Sequence, residues 1–224
     1  MRFLQALASL VACAFVFVMP AITMAGETGP PALLHFSATE VQLILQHGPW
    51  PMPAARDAGN AQAGNPNAIA LGQQLFFERS LSPDGKFSCA TCHLPAKAFT
   101  DGKARSLGRE TLDRNAPTLW NGVHERWYGW DGAADSLWSQ AIRPLLDARE
   151  MASNAEHIAN TIDHGSELSC RYRQTFGARA TDSPQSTMVN AAKAIGAFTA
   201  TLVSGPSAFD KFRDALARHD TKAA

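Results

Sequence analysis

Residues 89 to 93 read Cys-Ala-Thr-Cys-His, two thiols and an imidazole at the spacing that attaches a c-type haem. In such a site Cys89 and Cys92 each add through sulfur to a porphyrin vinyl group, while His93 reaches the iron as its axial ligand. The string fixes one face of the iron and leaves the other open. A second protein ligand there makes an electron carrier, and an empty position makes a catalyst or a gas binder. Two other chemistries use paired cysteines. A structural zinc site needs a second Cys or His pair at short spacing, which the sequence lacks. A thioredoxin-like pair opens a helix in an α/β fold, and no run of alternating strand residues is found here.

The elements that must position these groups begin after a leader. Met1 and Arg2 give a positive start, Phe3 to Met19 is almost wholly apolar, and Thr23-Met24-Ala25 supplies small residues before Gly26. Residues 1–25 are therefore expected to be a signal peptide and residues 26–224 a single haem domain in the periplasm, where bacteria attach haem. A membrane anchor is the rival reading, because such a span needs roughly 20 apolar residues. Pro20 and the small residues after it favour cleavage, and the apolar residues following Cys13 disfavour a lipoprotein cut there. Twenty basic and twenty acidic residues balance without a long single-sign run, so nothing points to nucleic acid or a polybasic membrane surface. Cys170 has no partner left and is expected to be a buried small hydrophobe.

Patterning is helical with long connections, which predicts an all-α, c-type cytochrome-like domain around one covalent haem. Ser37-Ala-Thr-Glu40 is a capping box before Val41, Ile44 and Leu45, and His47-Gly48-Pro49 ends that helix. Residues 51–66 read as an exposed loop. Ile69, Leu71, Leu75 and Phe76 mark a helix ending near Ser80, followed by a turn at Ser82-Pro-Asp-Gly85. Residues 95–118 form a long excursion wrapped around the cofactor. Further helices are predicted at 153–163, 166–176, 186–203 and 207–218.

A more specific pattern lies downstream. Asn115-Ala-Pro-Thr118, Trp127-Tyr-Gly-Trp-Asp-Gly132, Leu137-Trp-Ser-Gln140-Ala, Pro144 and Glu150-Met151, preceded by Leu71-Gly-Gln-Gln-Leu75-Phe-Phe77 and Leu81-Ser82, resemble the bacterial di-haem cytochrome c peroxidases. Their order is closest to the MauG-like branch, whose members oxidise protein side chains. The resemblance covers about residues 66 to 218 and only the first, peroxidatic haem domain of that family. The chain ends about where a second haem domain would begin.

The resemblance implies roles at matching positions. His93 is the proximal ligand of the peroxide-reacting haem; Gln140, Pro144 and Glu150 belong to the distal pocket; Trp130 sits between the two haems; Asn115 matches a calcium ligand whose companions lie in the second half. Family peroxidases often carry a capping histidine before Asn115, and Thr100 to Arg114 contains none, which favours an open iron. The chemistry is consistent with this set. Peroxide must lose a proton from one oxygen and gain one on the other, which a carboxylate such as Glu150 can shuttle. Gln140 can hydrogen-bond peroxide without titrating, Pro144 offers no ligand, and the oxidisable indole of Trp130 can relay electrons from a cytochrome or protein donor. A second haem domain or a second copy of the chain is the expected partner. Met151, 58 positions after His93, keeps a mono-haem electron carrier open, as do His124, His157 and His164.

Overall fold

A computed structural model of the chain describes residues 35–53, 57 and 59–220. The expected signal peptide, with Cys13, lies outside the described residues. Among the described residues eight α-helices follow in chain order: α1 (Ala38–Leu45), α2 (Pro66–Phe77), α3 (Cys89–Cys92), α4 (Leu137–Leu146), α5 (Ala155–His164), α6 (Ser166–Phe176), α7 (Pro184–Thr199) and α8 (Ala208–Ala217). Among the described residues there is no strand, only isolated bridges such as Leu94 with Thr100. The domain is all-α, as its periodicity predicts.

Each helix begins where side-chain chemistry relieves its unpaired N–H groups. Ser37 and Glu40 form the predicted capping box of α1, Asn65 caps α2 ahead of Pro66, and Asn154 accepts from the His157 N–H at the start of α5. Ser136 caps α4 by accepting from Ser139. That helix is absent from the sequence-based prediction, although Leu137, Ala141 and Leu145 recur at helical spacing. Pro144 masks it: in a helix interior proline removes one hydrogen bond and clashes one turn back. Here it sits in the last turn, close enough to the end for the helix to survive.

Helix α7 is the post around which the others stand, with α2, α4 and α5 all packed against it. Ala68, Leu71, Gly72, Leu75 and Phe76 recur at the three-four spacing of one helix face and are all buried. They meet Ala191, Ala194, Ile195 and Phe198 of α7 in the main core. The approach is close because small residues line it. At Gly72 an added Cβ would overlap the backbone carbonyl of Ala194, and at Gly196 it would lie 3.0 Å from the Trp138 nitrogen of α4. A polar thread ties α6 in: the Thr187 hydroxyl donates to the Ala180 carbonyl at 2.6 Å, and Asn190 donates to the Tyr172 hydroxyl at 2.9 Å. Helices α1 and α8 form a smaller cluster through Phe36 and Phe212, 5.7 Å between ring centres, and through Arg213, which donates to the Leu45 carbonyl.

Cys170 corrects an expectation. It is exposed on α6, with the Gln174 amide 3.5 Å from its sulfur. On α6 the buried positions are Leu168, Ser169 and Tyr172, so Cys170 falls on the outward face.

Substituting Gly72 by Ala forces α2 away from α7 and is expected to destabilise the domain by about 1–3 kcal/mol or more, the cost of overpacking a close contact. Chemical denaturation of the variant against the parent measures this; an unchanged midpoint would show that the crossing tolerates a methyl group.

Candidate active site

Helix α3 is one turn long and carries both thiols. Its start is held by Ser88, whose N–H donates to the Thr91 hydroxyl at 3.0 Å, and the His93 N–H closes it on the Cys89 carbonyl at 2.9 Å. The chain then doubles back through a tight turn. Ala98 and Phe99 both adopt the left-handed conformation, at φ 54° and 57°, which is sparsely populated for residues other than glycine. The turn is pinned where Thr118 donates to the Ala98 carbonyl at 2.6 Å and where the Phe99 ring packs on Phe76 and Trp120. What it delivers is the Phe99 carbonyl, 2.8 Å from His93 Nδ1. A carbonyl can only accept, so Nδ1 is the protonated nitrogen and Nε2 is left with its lone pair for a metal. Burial lowers the His93 pKa against the pull of the Phe99 and Pro117 carbonyls, which keeps the ring neutral. No sequence signal points to the Phe99 carbonyl, because it depends on two left-handed non-glycine residues.

Cys89, Cys92 and His93 line a cavity of ≈ 390 Å³. Burial pushes the Cys89 thiol up to about 12 and the Cys92 thiol up to about 11, so both are neutral thiols before any attachment. The same cavity is lined by Trp130, Gln140, Pro144, Glu150 and Met151. A second cavity of ≈ 410 Å³ shares Cys92, His93, Trp130, Gln140, Pro144 and Glu150 with the first and adds Asn115 and a ring of charged residues. Every residue to which the resemblance gives a role, and Met151, thus lies on these two cavities, whereas His124, His157 and His164 lie on neither.

Helix α4 presents Gln140 and Pro144 one turn apart on the same face. Gln140 Oε1 is buried without a hydrogen-bond partner, an expensive arrangement unless a ligand completes it. Glu150 follows in the turn after α4, where its N–H donates to the Asp147 carbonyl and the Met151 N–H to the Pro144 carbonyl. It is half-buried. Desolvation raises its pKa above the usual carboxylate range, helped by Asp147 and opposed by Arg149 and Arg143. Its backbone is braced from the opposite side. The Glu110 N–H donates to the Arg149 carbonyl at 3.1 Å, and a Cβ on Gly108 would lie 2.5 Å from that carbonyl oxygen and 3.0 Å from Glu150 Cα. Gly108 was not among the candidates of the sequence. Its role depends on contact between segments some forty positions apart, which spacing cannot reveal.

Trp130 is 59% exposed, yet its Nε1 donates to the Asn115 carbonyl at 2.8 Å and the adjacent Asp131 pairs with Arg143 of α4 at 3.3 Å. The Asn115 side-chain amide points back to the Ala116 carbonyl at 3.5 Å. Among the described residues no group of three or more His, Cys, Asp or Glu side chains is placed to hold a free metal ion. Met151 is 3% exposed and belongs to the main core as well as to the cavity wall. The three other histidines weighed as iron ligands lie off both cavities: His157 Nε2 is 2.8 Å from the Ser80 carbonyl, His164 Nδ1 is 2.7 Å from the Asn160 carbonyl, and His124 packs edge-on against Trp50.

These residues fit a c-type haem. Two thiols and a neutral imidazole border one largely hydrophobic cavity, which is also lined by Gln140, whose amide oxygen is buried without a hydrogen-bond partner. Comparison with known proteins points the same way. The family model described as di-haem cytochrome c peroxidase matches residues 66–218. The methylamine utilization protein MauG of Paracoccus denitrificans is 35% identical over 193 residues, covering 76% of this chain and 49% of that protein. The cytochrome c551 peroxidase of Nitrosomonas europaea is 33% identical over 150 residues, covering 66% of this chain and 43% of that one. Among solved structures, a MauG-like protein associated with microbial copper homeostasis superposes with a TM-score of 0.61 at 27% identity, over 74% of this chain and 50% of that chain. The chain spans half or less of the length of these curated relatives.

The burial of Glu150 has a thermodynamic signature. A carboxyl whose folded pKa is raised keeps its proton where the unfolded chain has lost it, so its contribution to stability falls as pH rises from the ordinary carboxylate range through the raised value. Glu150→Gln lacks that cost. Its melting temperature is expected to match the parent near pH 4 and to exceed it at pH 7; a gap independent of pH would show that Glu150 ionises freely in the folded state.

Proposed function

The chain belongs to the di-haem cytochrome c peroxidase family, and from that membership we propose that residues 26–224 form a peroxide-reacting, mono-haem domain exported to the periplasm behind a signal peptide at 1–25. Its reaction is the reduction of hydrogen peroxide to water with electrons from a small cytochrome or an oxidisable protein side chain. The observation that carries this reading is the placement of Gln140, Pro144 and Glu150 on the same cavities as His93. Family membership favours it over the electron-carrier reading, and the burial of Met151 in the main core gives that methionine a packing role.

Cys89 and Cys92 would tether the haem and His93 Nε2 would ligate its iron, which supplies the site where peroxide binds and takes up its oxidising equivalents. Pro144, whose side chain carries no ligand atom, would line the cavity without competing for the iron. Gln140 Oε1, unpartnered in the fold, accepts a hydrogen bond from the peroxide O–H. The Glu150 carboxylate takes the proton from one peroxide oxygen and returns it to the departing one. Its raised pKa moves it toward the pH at which both transfers are efficient. Two electrons and two further protons then complete two waters. Trp130 is our relay for the electrons: its ring is exposed to a donor while its Nε1 end is fixed at Asn115. Asn115 provides at most one side-chain oxygen to a calcium ion, so a complete shell would draw on a second haem domain or a second copy of the chain, docked over Trp127 and Trp130.

Ferric protein is expected to show a high-spin spectrum that changes on adding peroxide. In stopped-flow mixing, Glu150→Gln should slow that change by about 10²- to 10⁴-fold, the usual worth of a general acid–base group. Unchanged kinetics would remove Glu150 from the proton path, and a low-spin, peroxide-inert spectrum would sink the peroxidase reading itself.

A further inference from the structure

The two cavities share His93, Pro117, Gln140, Pro144 and Glu150 and so form one slot. The loop that follows His93 is nearly self-contained. The Leu94 N–H donates to the Thr100 carbonyl at 3.2 Å, the Phe99 N–H to the Leu94 carbonyl at 2.9 Å, and the Lys97 ammonium to the Asp101 carbonyl at 3.1 Å. Among the described residues every hydrogen bond of residues 94–101 stays within residues 93–103 except the 2.6 Å bond from the Thr118 hydroxyl to the Ala98 carbonyl. The same hydroxyl accepts from the Trp120 N–H at 3.2 Å, and the Trp120 ring packs edge-on against Phe99. Thr118 also directly follows Pro117, whose carbonyl, like that of Phe99, draws on the His93 ring. One side chain therefore ties together both carbonyls that act on the imidazole. It lines the first cavity with His93, and the resemblance gives it no role.

We propose that Thr118 is a positioning residue for the axial ligand: by holding the Ala98–Phe99 turn from outside, its hydroxyl sets how strongly the His93 Nδ1–H is bound, and so how electron-rich Nε2 is toward the iron. Ala98 and Phe99 both stand at positive φ, a conformation that is costly for a residue with a Cβ and persists only where the surroundings enforce it. Without the tie the turn is free to relax. Relaxation would swing the Phe99 carbonyl off Nδ1, because a carbonyl's direction follows from the backbone angles on either side of it. A hydrogen bond at one ring nitrogen makes a ligating imidazole more basic at the other, and is one of the levers by which a protein sets the reduction potential of a haem. The tie has little to offer global stability. Thr118 is exposed, and water competes for both partners of an exposed hydrogen bond. Its loss is therefore felt at His93 more than in the unfolding of the domain.

This inference rests on the haem reading above, so it is tested on full-length protein whose covalent haem has been verified as a pyridine haemochrome. Wild type is compared with Thr118→Val, which deletes the hydroxyl at nearly constant volume, and with Thr118→Ser, which keeps it. The readouts are the iron–histidine stretch in resonance Raman spectra of the ferrous protein and the reduction potential from spectroelectrochemical titration. Thr118→Val is expected to lower the stretching frequency and raise the potential, because a less electron-rich ligand supports ferric iron less well. Thr118→Ser should match wild type in both. Identical bands and potentials in wild type and Thr118→Val overturn the assignment, whatever happens to the melting temperature. So does a serine protein displaced as far as the valine one, which would trace the effect to the lost methyl group. If Thr118→Val yields no holo-protein, Thr118→Ala takes its place under the same criteria. A six-coordinate ferrous wild type defeats the open-iron reading alone, and the potentials then decide on Thr118. Wild-type protein that never acquires haem defeats the haem reading and this inference with it.

Discussion

The domain depends on backbone-to-backbone proximity along one face of α7. Gly72 of α2 meets the Ala194 carbonyl, and two residues further on Gly196 meets the start of α4 at Trp138. Helix α3 follows α2 after the connection at residues 78–88 and carries the two thiols, while α4 carries Gln140 and Pro144. Both walls of the slot therefore hang from the same post, and its width is fixed by contacts in which no side chain intervenes. Close-packed interiors transmit such constraints because they have little free volume to absorb a shift. This explains why small residues collect on α7, where Ala191, Ala192, Ala194, Gly196 and Ala197 are all buried. Larger residues there would gain apolar area and lose the site.

Polar contacts at the slot do a different job. The pairs Arg109–Asp84, Arg143–Asp131 and Arg149–Asp113 have partly exposed members, and exposed ion pairs contribute only about 0–1 kcal/mol each. Their value is in direction. Each joins segments distant in sequence: the turn before α3 to the loop at Arg109, the Trp130 turn to α4, and the segment before Asn115 to the turn that carries Glu150. Glu150 and Gln140 run against stability, one as a desolvated carboxyl and the other as an unpaired buried oxygen. Groups left unsatisfied by the fold collect at functional sites because a ligand is meant to complete them.

Much of this organisation was legible in the residue order. Cys89, Cys92 and His93 stand out by their spacing, and the fold brings all three to one cavity. Helices α2, α5, α6 and α7 follow from apolar periodicity and caps, which are local properties. Helix α4 escaped because Pro144 contradicts a helix by local rules and is accommodated only by its place in the last turn. The outward position of Cys170 was missed because a lone cysteine carries no periodicity of its own. Gly108 meets Arg149 and Glu150 through long-range packing, and no short window of sequence contains both partners. The Phe99 carbonyl lies near His93 in sequence, but it reaches Nδ1 only through two left-handed non-glycine residues that no local rule anticipates.

The tether at α3 also changes the kind of question that can be asked of cofactor affinity. A haem bonded through Cys89 and Cys92 is no longer a ligand with a dissociation constant; it is a side group of one wall, presented to the other at a fixed effective concentration. Dilution cannot empty such a slot, and the stabilisation it gives does not vary with free haem as that of a dissociable ligand would. The wall formed by α4 and Glu150 would have no bond to such a ring, so what holds it in register is the packing of α4 on α7.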